Sequence, residues 1–179
     1  MKTLLCSPLL VLSGLCSRAA ITGQWDFCGN LASSTGGANL TANAAAPATA
    51  ASVTFTTSSI GAQMAQVAAF TWATFFRMTH GLAANAGGSY LNQYTLIMDV
   101  MFPSRPVGWA VLWQTNPKNA NDSDWFINPS GGLGISGLYG GSVADGTWNR
   151  VALVVNGAVG AFTSYLNSTG VQQISGVTL

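Results

Sequence analysis

The sequence predicts an all-β protein, a sandwich or jelly roll of antiparallel strands. Three observations carry this. Short apolar stretches recur at roughly ten-residue spacing with Gly, Asn, Asp or Pro signals between them. Within several of them, apolar and polar residues alternate with a period of two. No helical segments alternate with the strands, as a parallel α/β fold would require.

Taken in order, "ITGQWDFCGN" (Ile21 to Asn30) reads as a first strand closed by Gly-Asn. The small-residue stretch that follows has little to bury and reads as loop with one short strand. "SVTFTTSSI" sets Val53, Phe55 and Thr57 against Thr54 and Thr56, the period of a strand. "QMAQVAAFTWATFFRM" mixes helix-permitting Ala, Gln and Met with strand-favouring Val, Phe, Thr and Trp, and is expected to form two short strands. "HGLAANAGGS" is a loop.

In the second half, "NQYTLIMDVMFP" is a strand ended by Pro103, and "GWAVLWQTN" one ended by Asn116-Pro117. "WFINPSGGLGISGLYGGS" is short strands cut by Gly pairs, placed where sheet layers approach closely. Asp145-Gly146 supplies a turn before "TWNRVALVVNG". There Val151, Leu153 and Val155 share one face, and Trp148, Arg150, Ala152 and Val154 the other. Both faces are apolar in the middle, so this is an interior strand. "AFTSYLNSTGVQQI" is strand, turn and strand.

Composition bounds compartment and partners. Charged residues are 6% of the chain, against about 25% in typical soluble domains. All the acids are Asp; there is no Glu. Charges this sparse form no basic stripe, which argues against nucleic acid. Beyond the N-terminus no apolar run reaches the ~20 residues of a spanning helix. "MKTLLCSPLLVLSGLCSRAA" has Lys2, an apolar stretch from Leu4 to Leu15, then small residues. That is the layout of a secretory signal peptide. Ser17 and Ala19 suit cleavage after Ala19, and a cut after Ala20 fits as well. Residues 1–19 are therefore expected to be leader and 20–179 one domain, secreted or extracytoplasmic. Cys16 raises a lipoprotein alternative, but Leu15 before it suits that poorly. The leader would remove Cys6 and Cys16, leaving Cys28 as a lone cysteine, expected to be a small buried residue.

A resemblance rests on Trp148 with Val151, Ala152 and Val154, followed by Tyr165, Leu166 and Asn167. A Trp-led strand and then a Tyr-x-Asn-Gly hairpin resembles the laminin-G-like members of the concanavalin A-like lectin/glucanase superfamily. Ser168 stands where Gly is usual. The resemblance runs from Ile21 to the end. It implies an antiparallel two-sheet jelly roll that binds extracellular ligands. The chain stops at "SGVTL", where such relatives continue, so the expectation is either a fragment lacking C-terminal strands or an N-terminal strand without its partner.

Several chemistries lack their residues. Glycoside hydrolysis needs two carboxylates flanking a bond. The superfamily's Glu-x-Asp-x-x-Glu pattern has no counterpart in a chain without Glu. Asp99 and Asp122 would have to serve an Asp-only hydrolase, yet Asp99 reads better as a hydrogen-bonded sheet residue. No Gly-x-Ser-x-Gly elbow occurs, and His80 reads as a loop-holding side chain. No enzyme is expected.

Two leads to a ligand remain. "NANDSDWFIN" gathers Asn119, Asn121, Asp122, Asp124 and Asn128, hard oxygen donors of the kind Ca²⁺ takes. Laminin-G-like relatives imply such a rim site, and the competing reading is a solvated turn. The second lead is aromatic, since sugar C–H groups stack on open rings. Trp113, Trp125 and Tyr139 are the candidates, with Trp109 and Tyr90 also available; Trp25 and Trp148 are expected in the core. The sequons at Asn39, Asn121 and Asn167 accept glycans only in a eukaryotic secretory route. The expectation is a secreted, non-catalytic module binding carbohydrate or another extracellular surface, with Ca²⁺ as the only cofactor considered. The alternative is a structural or assembly domain that packs against a partner chain. Arg150 is expected to have a structural partner, a backbone carbonyl or an Asp.

Overall fold

The computed structural model describes residues 20–45, 48–85, 87–105, 108–116, 125–135 and 137–176. The leader assigned to residues 1–19 lies outside them. The fold is an all-β sandwich of antiparallel sheets. One sheet is built from β5 (Gln93–Val100), β10 (Asn149–Asn156), β11 (Ala161–Leu166) and β12 (Thr169–Ile174), in the order β12-β11-β10-β5. The other is a meander of β6 (Ala110–Trp113), β7 (Trp125–Ile127), β8 (Leu133–Ile135) and β9 (Leu138–Gly140). The chain thus leaves the first sheet after β5, builds the second, and returns to lay β10 beside β5.

The alternation read in the sequence decides which side chains meet. Val151, Leu153 and Val155 of β10 are buried, while Ala152 and Val154 are half-buried. Val151, Leu153 and Val155 pack with Phe162 and Leu166 of β11 and with Trp125, Ile127 and Leu133 of the second sheet. Tyr94, Leu96 and Met98 of β5 close the layer. Burying each large apolar side chain contributes about 1.5–3 kcal/mol, so this interface holds the two sheets together.

The sheets touch most closely at one edge, where β9 meets β12. A Cβ added to Gly140 would stand on the carbonyl oxygen of Val171. On the neighbouring strand, a Cβ on Gly134 would stand on the carbonyl of Leu138. These glycines are therefore backbone contacts, as expected of the Gly-cut strands.

The N-terminal half adds two small sheets. β1 (Thr41–Ala44) pairs with β4 (Thr74–Arg77), and β2 (Val53–Ile60) with β3 (Gln63–Phe70). The mixed segment after Ile60 does form two strands. The stretch from Ile21 to Asn30 does not form the strand expected of it. Its one ladder contact is an isolated bridge from Gln24 to Thr35. Phe27 and Gly29 take positive φ, 53° and 77°, which breaks an extended run.

Two tryptophans assigned to the core lie outside it. Trp25 is half-buried in the N-terminal loops, where its ring covers Gly23 and its N–H donates to the carbonyl of Ala38 at 3.1 Å. Trp148 is half-buried just before β10 and donates to Ser58 Oγ at 3.1 Å, tying β2 to the sandwich. Cys28, expected to be buried, is exposed. Its thiol turns back to the Asp26 carbonyl oxygen at 3.7 Å, within the same loop.

Candidate functional site

Asn121, Asp122 and Asp124 lie outside the described residues, as does Asn119. Of the expected calcium ligands only Asn128 is described, and it does not fit that role. Its Oδ1 accepts the backbone N–H groups of Ser130 and Gly132, at 3.0 and 2.8 Å. Both lone pairs of that oxygen are thereby used in shaping the turn after β7. Among the described residues no three His, Cys, Asp or Glu side chains gather as a metal would need.

The aromatic candidates separate. Trp125 is completely buried, and its N–H donates to Ser164 Oγ at 3.0 Å across the sandwich. It is a core residue rather than a stacking surface, because β7 lies inside its sheet and turns this side chain inward. Trp113, opposite Trp125 in the β6–β7 ladder, packs against the core and donates to the Tyr94 hydroxyl at 3.3 Å. Tyr139 is half-buried and meets Trp109.

That meeting forms an aromatic cluster on this sheet. Val111, Phe126, Gly134 and Tyr139 stand opposite one another in a row across β6, β7, β8 and β9. The row lies one residue out of step with Ala110, Ile127, Leu133 and Gly140, the row that faces the core. Trp109 precedes β6 on the same side as Val111. Its ring meets Phe126 edge-on at 5.7 Å and Tyr139 at 5.3 Å, yet Trp109 stays 54% exposed. Edge-to-face contacts of this kind are favourable between aromatic rings, and here they leave more than half of the Trp109 surface to solvent.

Polar groups flank this surface through consecutive glycines. A Cβ placed on Gly132 would stand 3.0 Å from Tyr139 Cβ and 3.2 Å from Asn128 Nδ2, so the amide and the aromatic side chain are neighbours. A Cβ on Gly131 would stand 2.9 Å from the Arg105 guanidinium. Arg105 is held by an ion pair from Nε to Asp145, and its backbone N–H donates to the same carboxylate at 3.2 Å. The side-chain bond from Arg105 is the main reason the Asp145 carboxyl sits below the usual carboxylate range, with the backbone bond adding to it. Asn128 thus lies beside Tyr139, and the Arg105 guanidinium, paired with Asp145, lies beside the preceding glycine.

Other groups are committed elsewhere. His80 Nδ1 accepts the backbone N–H of Leu82 at 3.0 Å, the loop-holding role read from the sequence. Both oxygens of Asp99 bond to Arg150, which answers the expectation for each. A cleft of about 580 Å³ opens where β5 begins and β10 ends, lined by Leu82, Asn85, Leu91, Gln93, Val154 and Asn156. Asn85 there bonds to the backbone of Asn92 and Gln93, and Gln93 Nε2 to Asn156 Oδ1. Its amides mainly hold the loop to the sheet. Sequence reasoning passed over Arg105, Asp145 and Asn85, since no local pattern links Arg105 to an acid forty positions later.

Comparison with family models, with curated proteins and with solved structures finds no match. Among the described residues no helix is long and apolar enough to cross a membrane.

Proposed function

We propose that this chain is a secreted, non-catalytic module of the laminin-G-like kind that binds carbohydrate on the outer face of the β6–β9 sheet. One observation carries the reading: Trp109 meets the rings of Phe126 and Tyr139 yet stays more than half exposed. An immobilised indole accepts the apolar C–H face of a pyranose without losing rotamer freedom on binding. Asn128 Nδ2 and the Arg105 guanidinium supply donors for hydroxyls at the rim. An open sheet face fits a glycan chain better than a free monosaccharide, which is usually enclosed in a pocket. Asp122 and Asp124 remain the residues through which Ca²⁺ would assist.

The test is affinity electrophoresis and glycan-array binding of the purified chain. Trp109→Ala is expected to weaken binding at least tenfold. Trp72→Ala, which removes another exposed indole, is expected to leave it unchanged. Binding to no glycan, or binding indifferent to Trp109→Ala, sinks the reading. Binding that persists in EDTA removes calcium from it.

A further inference from the structure

The β2–β3 hairpin presents two long strand edges. It is a sheet of two strands, so both strands are edges, and each is eight residues long. Among the described residues neither pairs with any other strand. Every second residue along each outer edge therefore directs its N–H and C=O away from the hairpin. Most of its side chains are exposed, Met64 at 67% and Phe70 at 53% among them. An isolated two-stranded hairpin is marginal in water, and independent stability takes three or more strands with a hydrophobic face.

Natural edges are usually protected by charge, by Pro or by a bulge. This one has none of these. From Phe27 to Phe76 the sequence contains no Asp, Glu, Lys, Arg or His. Neither strand contains Pro, and the β2–β3 register is unbroken from Val53↔Phe70 to Ile60↔Gln63. The whole chain carries a formal charge of only +1, so two copies repel each other little.

From these features we infer that the outer edge of β2 pairs antiparallel with β2 of a second copy of this chain, joining two hairpins into one four-stranded sheet. The strand is self-complementary. Antiparallel pairing must place outward-directed residues opposite one another, so a two-fold axis falls on a residue. With the axis at Thr56, Thr54 faces Ser58 and Phe55 faces Thr57. With the axis at Thr57, Thr56 faces Ser58 and Phe55 faces Ser59. In either register a threonine faces its own copy, and no position brings like charges together. Both copies also keep Ser58 on the same face of the joined sheet, so each can retain its bond from Trp148. The identical strand is favoured over a different partner because the edge has no charge with which to select one.

The experiment is sedimentation equilibrium of the full chain over a range of concentrations, with and without Thr57→Lys. Thr57 is exposed, so a lysine is compatible with the monomer fold, while two lysines would meet at or beside the axis. A monomer–dimer equilibrium is expected, and Thr57→Lys should raise its dissociation constant at least tenfold. Gln66→Lys on β3, exposed on the other strand, should leave it within threefold. Circular dichroism and tryptophan fluorescence report whether each variant is folded; if Thr57→Lys is not, Ser59→Lys replaces it. A wild-type chain that is monomeric throughout overturns the inference. So does association that Thr57→Lys leaves intact, or that Gln66→Lys alone abolishes. Neither variant touches Trp109 or Tyr139, so glycan binding and pairing are separately measurable.

Discussion

Arg150 of β10 and Asp99 of β5 face each other across the first sheet and share two hydrogen bonds of 2.7 Å, Nε to Oδ1 and Nη2 to Oδ2. The bidentate geometry, and then the charge of Asp99, raise the guanidinium pKa above its ordinary value. Solvent reaches the pair, since the side chains are 64% and 32% exposed. At the other end of the same two strands, Gln93 Nε2 donates to Asn156 Oδ1 at 2.9 Å. The register of β5 against β10 is thus marked by a polar pair at each end. Arg150→Met and Asp99→Asn should each cost under about 1 kcal/mol in urea unfolding. Their coupling in a double-mutant cycle should shrink on raising salt to about 1 M.

A larger effect is expected inside the sandwich. Trp125 Nε1 donates to Ser164 Oγ at 3.0 Å, and Ser164 Oγ donates to Gln172 Oε1 at 2.7 Å. All three residues are buried. Ser164→Ala removes the central hydroxyl and leaves both neighbours unsatisfied, which should cost about 1–3 kcal/mol per orphaned group. Ser164→Thr keeps the hydroxyl, and chemical denaturation of the two variants distinguishes the lost bond from altered packing.

The turn between β11 and β12 holds Asn167 at φ 48° and Ser168 at φ 73°. Asn tolerates this region, whereas Ser does so at some cost. Ser168→Gly should stabilise the fold by up to about 1 kcal/mol, read as a higher thermal midpoint. Asn167 has a second role, since its Oδ1 accepts the backbone N–H of Arg150 at 2.9 Å. Asn167→Gly should therefore destabilise, although glycine suits the backbone angle.

The Arg105–Asp145 pair predicts an acid dependence. Folding lowers the Asp145 pKa, so the unfolded chain binds the proton more readily. The stabilisation is present above the ordinary carboxylate pKa of about 3.9 and is lost as pH falls through the depressed native value. Asp145→Asn should lower the thermal midpoint at neutral pH and flatten its decline below about pH 4. If wild type and Asp145→Asn decline in parallel, the pair is not the source of that slope.

The sequence read the strands well where alternation was strong. β5, with Tyr94, Leu96 and Met98 on one face, and β10, with Val151, Leu153 and Val155, stand where their patterns placed them. It failed between Ile21 and Asn30 because Phe27 takes positive φ, a conformation nothing about phenylalanine announces. It also could not sort the tryptophans. Trp125 is buried against Ser164 and the β10–β11 layer, and Trp109 stays exposed beside Phe126 and Tyr139, all remote along the chain. Composition says that six indoles exist; only the register of the strands says which of them faces water. The loop that carried the calcium expectation, with Asp122 and Asp124, is untouched by these findings.

The contact between Gly140 and the Val171 carbonyl bears on ancestry. A backbone atom leaves no space for any side chain, so drift at this position is blocked while its surroundings are free to change. Homologues too diverged for overall similarity to reveal should still carry glycine there, six residues after a second glycine matching Gly134. That spacing, flanked by a core-facing residue like Leu133 and an aromatic like Tyr139, is a fingerprint by which distant kin can be recruited.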